Sequence, residues 1–322
     1  MKVRRARVLA WLAAALAIGC AKPAPVQPQY QPAASVLEVI ATLRRHIPDD
    51  TYRFEPARDF SGRNVYRASL IRLESLERVH AESLRAGTLD DVIAFSKARA
   101  LERLRAYDLA AANHRQAAVH EGPLRDEALR AAALDDALGE AIQIGYEPDR
   151  PPRGDAKPVP APADADAATR DYDRRTALLE ALGNDASGTP LAPVIREEIE
   201  RTDEARARYF VARRRLDPDG NVRALAELQR VATRHRESKN RNRHVLELAD
   251  LYATMTEEYV AARPPESLWF DPAAFSEMVD SASQLYEAVA NQDGATEKIE
   301  AARRLEAFLA FTLRVDRDRF SP

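Results

Sequence analysis

ARALERLRAYDLAAANHRQAAVHEGP, residues 98–123, decides how the chain is read. Ala98 and Leu101 fall on one face of a helix expected to run from Val92 to Arg105. Its start is marked by Thr88-Leu89-Asp90-Asp91, a cap with an acid three positions on. Tyr107-Asp108-Leu109-Ala110-Ala111 opens a second helix expected to reach His120, and Gly122-Pro123 ends it. Ala110 and Ala117 give that helix a small-residue face, so two helices can approach closely and larger side chains fill the gap. Leu124 to Ile144 supplies a further Ala/Leu-rich helix to stack on the pair.

The same composition extends outward in both directions. Alanine, leucine, arginine and glutamate dominate the 322 residues, and only 11 are glycine. These are strong helix formers, and no long apolar/polar alternation appears, so the expected class is all-α. Upstream, Val36, Leu37, Val39, Ile40 and Leu43 predict a short amphipathic helix ended by His46-Ile47-Pro48, and Val65 to Leu84 a long one stopped at Ala86-Gly87. Residues 49–63 read as irregular. Downstream, Tyr146 to Ala168 carries six prolines and alternating aspartates and reads as a linker. Helices are then expected over 171–182, from Thr189-Pro190 to about Arg215, from Val222 to Ala232, over 244–260, over 275–290, and from Ile299 to Leu313. Asp217-Pro218-Asp219-Gly220-Asn221 and Asp293-Gly294 are turns between them.

The N-terminus has a separate logic. Lys2, Arg4, Arg5 and Arg7 form a basic head, Val8 to Ile18 an apolar run, and Ala17-Ile18-Gly19-Cys20 a small-residue exit. That order is the layout of a secretory signal. The run is shorter than the roughly 20 apolar residues a membrane-crossing helix needs. Cys20 is the one cysteine, so no intramolecular disulfide can form. Residues 21–34 hold Pro23, Pro25, Pro28 and Pro32 among glutamines and favour an extended chain, reaching roughly 40 Å if fully extended. Loss of the four basic leader residues would take the net charge from −3 to −7. Global attraction to nucleic acid is therefore not expected.

Two resemblances follow from these residues. Leu16-Ala17-Ile18-Gly19-Cys20 resembles the lipobox of bacterial lipoproteins. It implies cleavage after Gly19 and a covalent lipid on Cys20, with Ala21 after it implying the periplasmic face of the outer membrane. Ala98, Leu101, Tyr107, Ala110, Ala117 and Pro123 resemble a tetratricopeptide repeat, with His114 where that repeat usually carries an aromatic. Ser281, Leu285 and Ala288 resemble the second helix of another. This implies antiparallel helical hairpins stacked as a solenoid, a degenerate array because no fixed period of 34 residues holds. The expected organisation is a signal peptide (1–19), a lipidated Cys20 with its Pro-rich tether (20–34), a helical part (35–145), the linker (146–168) and a second helical part (169–322).

Signatures of chemistry are sparse. No G-x-S-x-G, S-x-x-K, H-E-x-x-H or phosphate-cradling glycine loop occurs. Glu77 and His80 form an isolated E-x-x-H, which di-metal helix bundles need twice. The Asp217–Asn221 turn starts like a calcium loop but has Val222 and Leu228 where the loop needs glycine and glutamate. No catalytic residue, metal site or cofactor beyond the lipid is therefore expected. Arg234, Arg236, Lys239, Arg241 and Arg243 form the one dense basic stretch, a candidate surface for anionic lipid or glycan. It lacks interleaved aromatics, which disfavours single-stranded nucleic acid. Trp269 and Phe270, between prolines, are either an exposed protein-partner anchor or a plug over the helices. The reading that results is a non-catalytic, membrane-anchored envelope scaffold for protein contact. Its alternatives are an envelope hydrolase or glycan-processing enzyme whose site assembles only in space, or a binder of anionic lipid or glycan.

Overall fold

The computed structural model describes residues 31–49, 56–86, 89–148, 150 and 160–320. Gly19, Cys20, the signal and the first part of the tether lie outside the described residues. Eleven α-helices make up the described chain: α1 (Pro32–Asp49), α2 (Val65–Ala86), α3 (Asp90–Arg103), α4 (Tyr107–Ala117), α5 (Arg125–Ala141), α6 (Ala165–Asp185), α7 (Ala192–Arg213), α8 (Gly220–Arg234), α9 (Arg241–Ala262), α10 (Pro272–Ala290) and α11 (Lys298–Phe320). Each packs chiefly on its neighbours in sequence, giving an all-α solenoid of helical hairpins. Among the described residues the one β-type pairing is an isolated bridge between Arg58 and Asn64, and no helix is long and apolar enough to cross a membrane.

Alanine sets the spacing of the hairpin over residues 90–117. Ala94, Ala98, Ala110, Ala111 and Ala117 are fully buried between α3 and α4. Arg105, in the turn, takes a φ of 62°, which reverses the chain in three residues. The next core joins helices on both sides of the 146–164 connection. Tyr107, Leu138, Ala141 and Ile142 pack with Leu179, Leu191, Val194 and Ile195. Burying one such leucine contributes about 1.5–3 kcal/mol. Separate cores under α1–α3 and α8–α11 finish the stack.

Several expected boundaries move. The segment expected to stay extended to Ala34 is helical from Pro32, whose fixed φ suits a first helical position. Helix α1 also runs past Ile47 and includes Pro48. The connection read as 146–168 ends at Asp164, whose side chain caps α6 by accepting from the Asp166 N–H at 2.9 Å. Helix α4 stops at Ala117 and not at His120; Ala118 N–H bonds back to His114 and Arg115 carbonyls, closing the helix. Thr189-Pro190 does not start α7 directly: Thr189 forms a turn, and Pro193 is the proline in the first turn of the helix. The capping role expected of Thr88 lies outside the described residues, and Asp91 pairs with His120 at 2.9 Å. Helix α2 kinks at His80 (φ −124°, ψ 24°), which is the histidine of the E-x-x-H.

Candidate functional site: the charged seam around α7

Helix α7 has an apolar side, Val194, Ile195, Ala205, Tyr209 and Phe210, which packs into the stack. It also buries Glu197, Glu198, Glu200, Asp203 and Glu204. Five carboxylates out of water on one helix are tenable only if each finds partners. The partners come from the helices and turns packed around α7.

Glu198 is the hub. Arg105 grips it with two hydrogen bonds, from Nε at 2.7 Å and from Nη2 at 2.8 Å. Arg201 donates from Nη1 at 2.8 Å and the Tyr107 hydroxyl at 2.9 Å. Arg175, fully buried on α6, lies 3.5 Å away and pairs with Glu147 at 2.8 Å. Burial alone would push the Glu198 carboxyl up, but Arg201, Arg105 and Arg175 outweigh it and hold the group at about 2. Burial pushes the Tyr107 hydroxyl well above its ordinary value, and the Glu198 charge adds to this, so tyrosine stays a proton donor.

The seam continues towards the C-terminus. Glu197 binds Arg103 at 3.1 Å and Lys239 at 2.9 Å. Glu200 accepts from the Ser238 hydroxyl at 2.5 Å and lies 2.6 Å from His244 Nε2. These two contacts overcome the burial effect and hold the Glu200 carboxyl below its usual range. Asp203 accepts from Arg230 at 2.7 Å and Arg234 at 3.0 Å and meets His235 at 2.9 Å. Arg243 pairs with Glu204.

Beside α7 this seam opens into a cavity of about 340 Å³. Its floor is a set of buried ion pairs: the Glu197 and Glu204 side chains are 7% and 8% exposed, and Arg103 and Lys239, both paired with Glu197, are 5% and 8% exposed. Its mouth is basic: the Arg201, Arg208 and Arg243 side chains are 33%, 42% and 44% exposed. An incoming group therefore meets guanidinium first.

The basic stretch is only partly the surface expected of it. Lys239 is drawn into the seam, and Arg234 pairs with Asp203 and Glu180. Lys239 and Arg243 line the cavity, while Arg236 and Arg241 remain exposed. The two aromatics part company. Trp269 is 82% exposed. Phe270 turns inward, its ring 5.7 Å from Tyr259 and 5.4 Å from Phe275. The Asp217–Asn221 turn joins α7 to α8 and holds Gly220 so tightly that a Cβ there would sit 2.0 Å from the Arg214 carbonyl oxygen. The buried carboxylates of α7 were missed by sequence reasoning. Their signal was the density of acids, E-E-x-E-x-x-D-E over residues 197–204, within a helix that also carries core residues.

No protein-family model matches the chain, and no curated protein matches it.

Proposed function

We propose that this protein is a cell-envelope scaffold, held to the periplasmic face of the outer membrane by lipid on Cys20. Its body, tetratricopeptide-like in its hairpins, binds a protein partner through an acidic segment seated at the α7 cavity. The observation that carries this reading is the cavity's layering, with exposed guanidinium groups over buried carboxylates. A partner carboxylate can engage the outward sides of Arg208 and Arg243, while Arg103, Arg105, Arg201 and Lys239 keep their pairs with Glu197 and Glu198. A lipid tether suits the role, because each buried acyl CH₂ adds about 0.8 kcal/mol and two or more chains hold firmly. Hydrolysis at this cavity is less favoured, since a general acid needs a raised pKa and Glu200 is held low.

A photo-crosslinking residue at position 208 in the lipidated protein, in intact cells, should trap a defined envelope protein. The same residue at exposed Arg303 on α11 should not. Equal labelling from both positions would refute the cavity as the docking site. Cys20→Ser should abolish acyl labelling and release the protein from membranes, and retention would refute the anchor.

A further inference from the structure

The alanine apex of α3, α4 and α5 contains three polar side chains, one from each helix. Glu102, His114 and Asp135 are 1%, 0% and 0% exposed. One donor atom from each lies within 4.8 Å of the other two. Glu102 Oε1 is 3.0 Å from His114 Nε2, and Asp135 Oδ2 is 3.7 Å from the same nitrogen.

Asp135 is the group that helix packing does not explain. Neither of its oxygens has a hydrogen-bond partner. A buried carboxyl without donors is strongly disfavoured unless a cation or proton compensates it. His114 Nδ1 also has no partner, so the ring is oriented by what it meets at Nε2 and by Phe95, packed edge-on at 4.9 Å. Arg99 Nη1 donates to Glu102 Oε1 at 2.8 Å and lies 2.6 Å from Oε2, so one guanidinium fixes the Glu102 carboxylate.

We propose that Glu102, His114 and Asp135 bind one divalent first-row transition cation, with Zn²⁺ the best fit. Metal–ligand bonds of about 2.0–2.2 Å place neighbouring ligands roughly 3–4 Å apart, near the spacing seen here. One imidazole and two carboxylates suit Zn²⁺ or Mn²⁺, whereas Ca²⁺ asks for six to eight oxygens and Cu⁺ for sulfur. No local motif marks this set, because its members come from three successive helices. His114 is the residue that departs from the aromatic usual at that place in the repeat.

A second cluster, Glu200, Glu204 and His244, meets the same distance criterion. There Ser238, Asn240 and Arg243 already supply donors to the carboxylates. It provides the control.

The test uses the full chain carrying Cys20→Ser, which removes the one thiol. Chelator-stripped protein is dialysed against Zn²⁺ and its metal content measured. The expected result is one equivalent per chain, abolished by Asp135→Asn and by His114→Gln and retained by His244→Gln. The thermal midpoint should rise with free Zn²⁺ only where the metal is bound. Co²⁺ in the otherwise unsubstituted chain should give the visible absorption of a low-coordinate N/O site, removed by added Zn²⁺. Failure of this chain to take up Zn²⁺ would overturn the proposal, a result that needs no variant to fold. Zn²⁺ uptake by folded Asp135→Asn equal to that of the parent would overturn it as well.

Discussion

Replacing Glu198 by glutamine keeps the side chain's length and removes the charge that Arg105, Arg175 and Arg201 share. The amide would also turn N–H donors toward guanidinium groups that can only donate. Breaking a buried ion pair by neutralising one member costs about 3–5 kcal/mol. The titration of Glu198 leads to a similar figure. A carboxyl held at about 2 against an ordinary 4.5 is a shift of 2.5 pH units, or about 3.4 kcal/mol. Because the folded pKa is depressed, this stability is fully present above pH 4.5 and is lost as pH falls towards 2. Urea titrations followed by circular dichroism should therefore show Glu198→Gln less stable than wild type by about 3–4 kcal/mol at pH 7. The gap should narrow to roughly 1.4 kcal/mol at pH 3, where wild-type Glu198 keeps less of its advantage. A difference under 1 kcal/mol at pH 7, or one unchanged at pH 3, would refute the hub as described.

Other outcomes follow from neighbouring features. Gly220→Ala should destabilise the α7–α8 turn by more than the ~1 kcal/mol that helix propensity would favour, because its Cβ meets backbone and not a yielding side chain; a thermal midpoint at or above wild type would contradict the close approach. Leu138→Ala should cost about 2–5 kcal/mol and weaken α6 and α7 along with α5, since one core joins them; hydrogen exchange confined to α5 would contradict that shared core. Trp269→Ala should leave stability within about 0.5 kcal/mol of wild type, given its exposure, whereas Phe270→Ala should not; equal losses by thermal denaturation would contradict their different placement.

The helices were legible because they rest on local signals: apolar spacing, Gly-Pro and Asp-Gly stops, and alanine faces. Boundaries shifted where a side chain had two readings. Asp164 looked like part of an acidic linker and is a cap; Pro32 looked like tether and is a first-turn residue. The seam was not legible, for a reason of distance. Whether Glu198 is a surface acid or a buried hub depends on Arg105, over ninety residues earlier in the chain. Lys239 and Arg234 read as a solvent-facing basic stretch because the acids that claim them lie on other helices. The trio of Glu102, His114 and Asp135 was hidden likewise, because its members come from three helices.

The ion pairs of α7 also act as addresses. Hairpins built from alanine and leucine are nearly interchangeable, so apolar packing alone would tolerate a stack assembled in the wrong order or slipped by one helix. Here Glu197 answers to the α3 end and the α8–α9 turn, Glu198 to the α3–α4 turn and α6, and Asp203 to α8. Any shuffled arrangement strands several of these acids in the interior without a counter-charge, and the penalty grows with each mismatch. Electrostatics thereby spells out the sequence of stacking that greasy surfaces leave ambiguous.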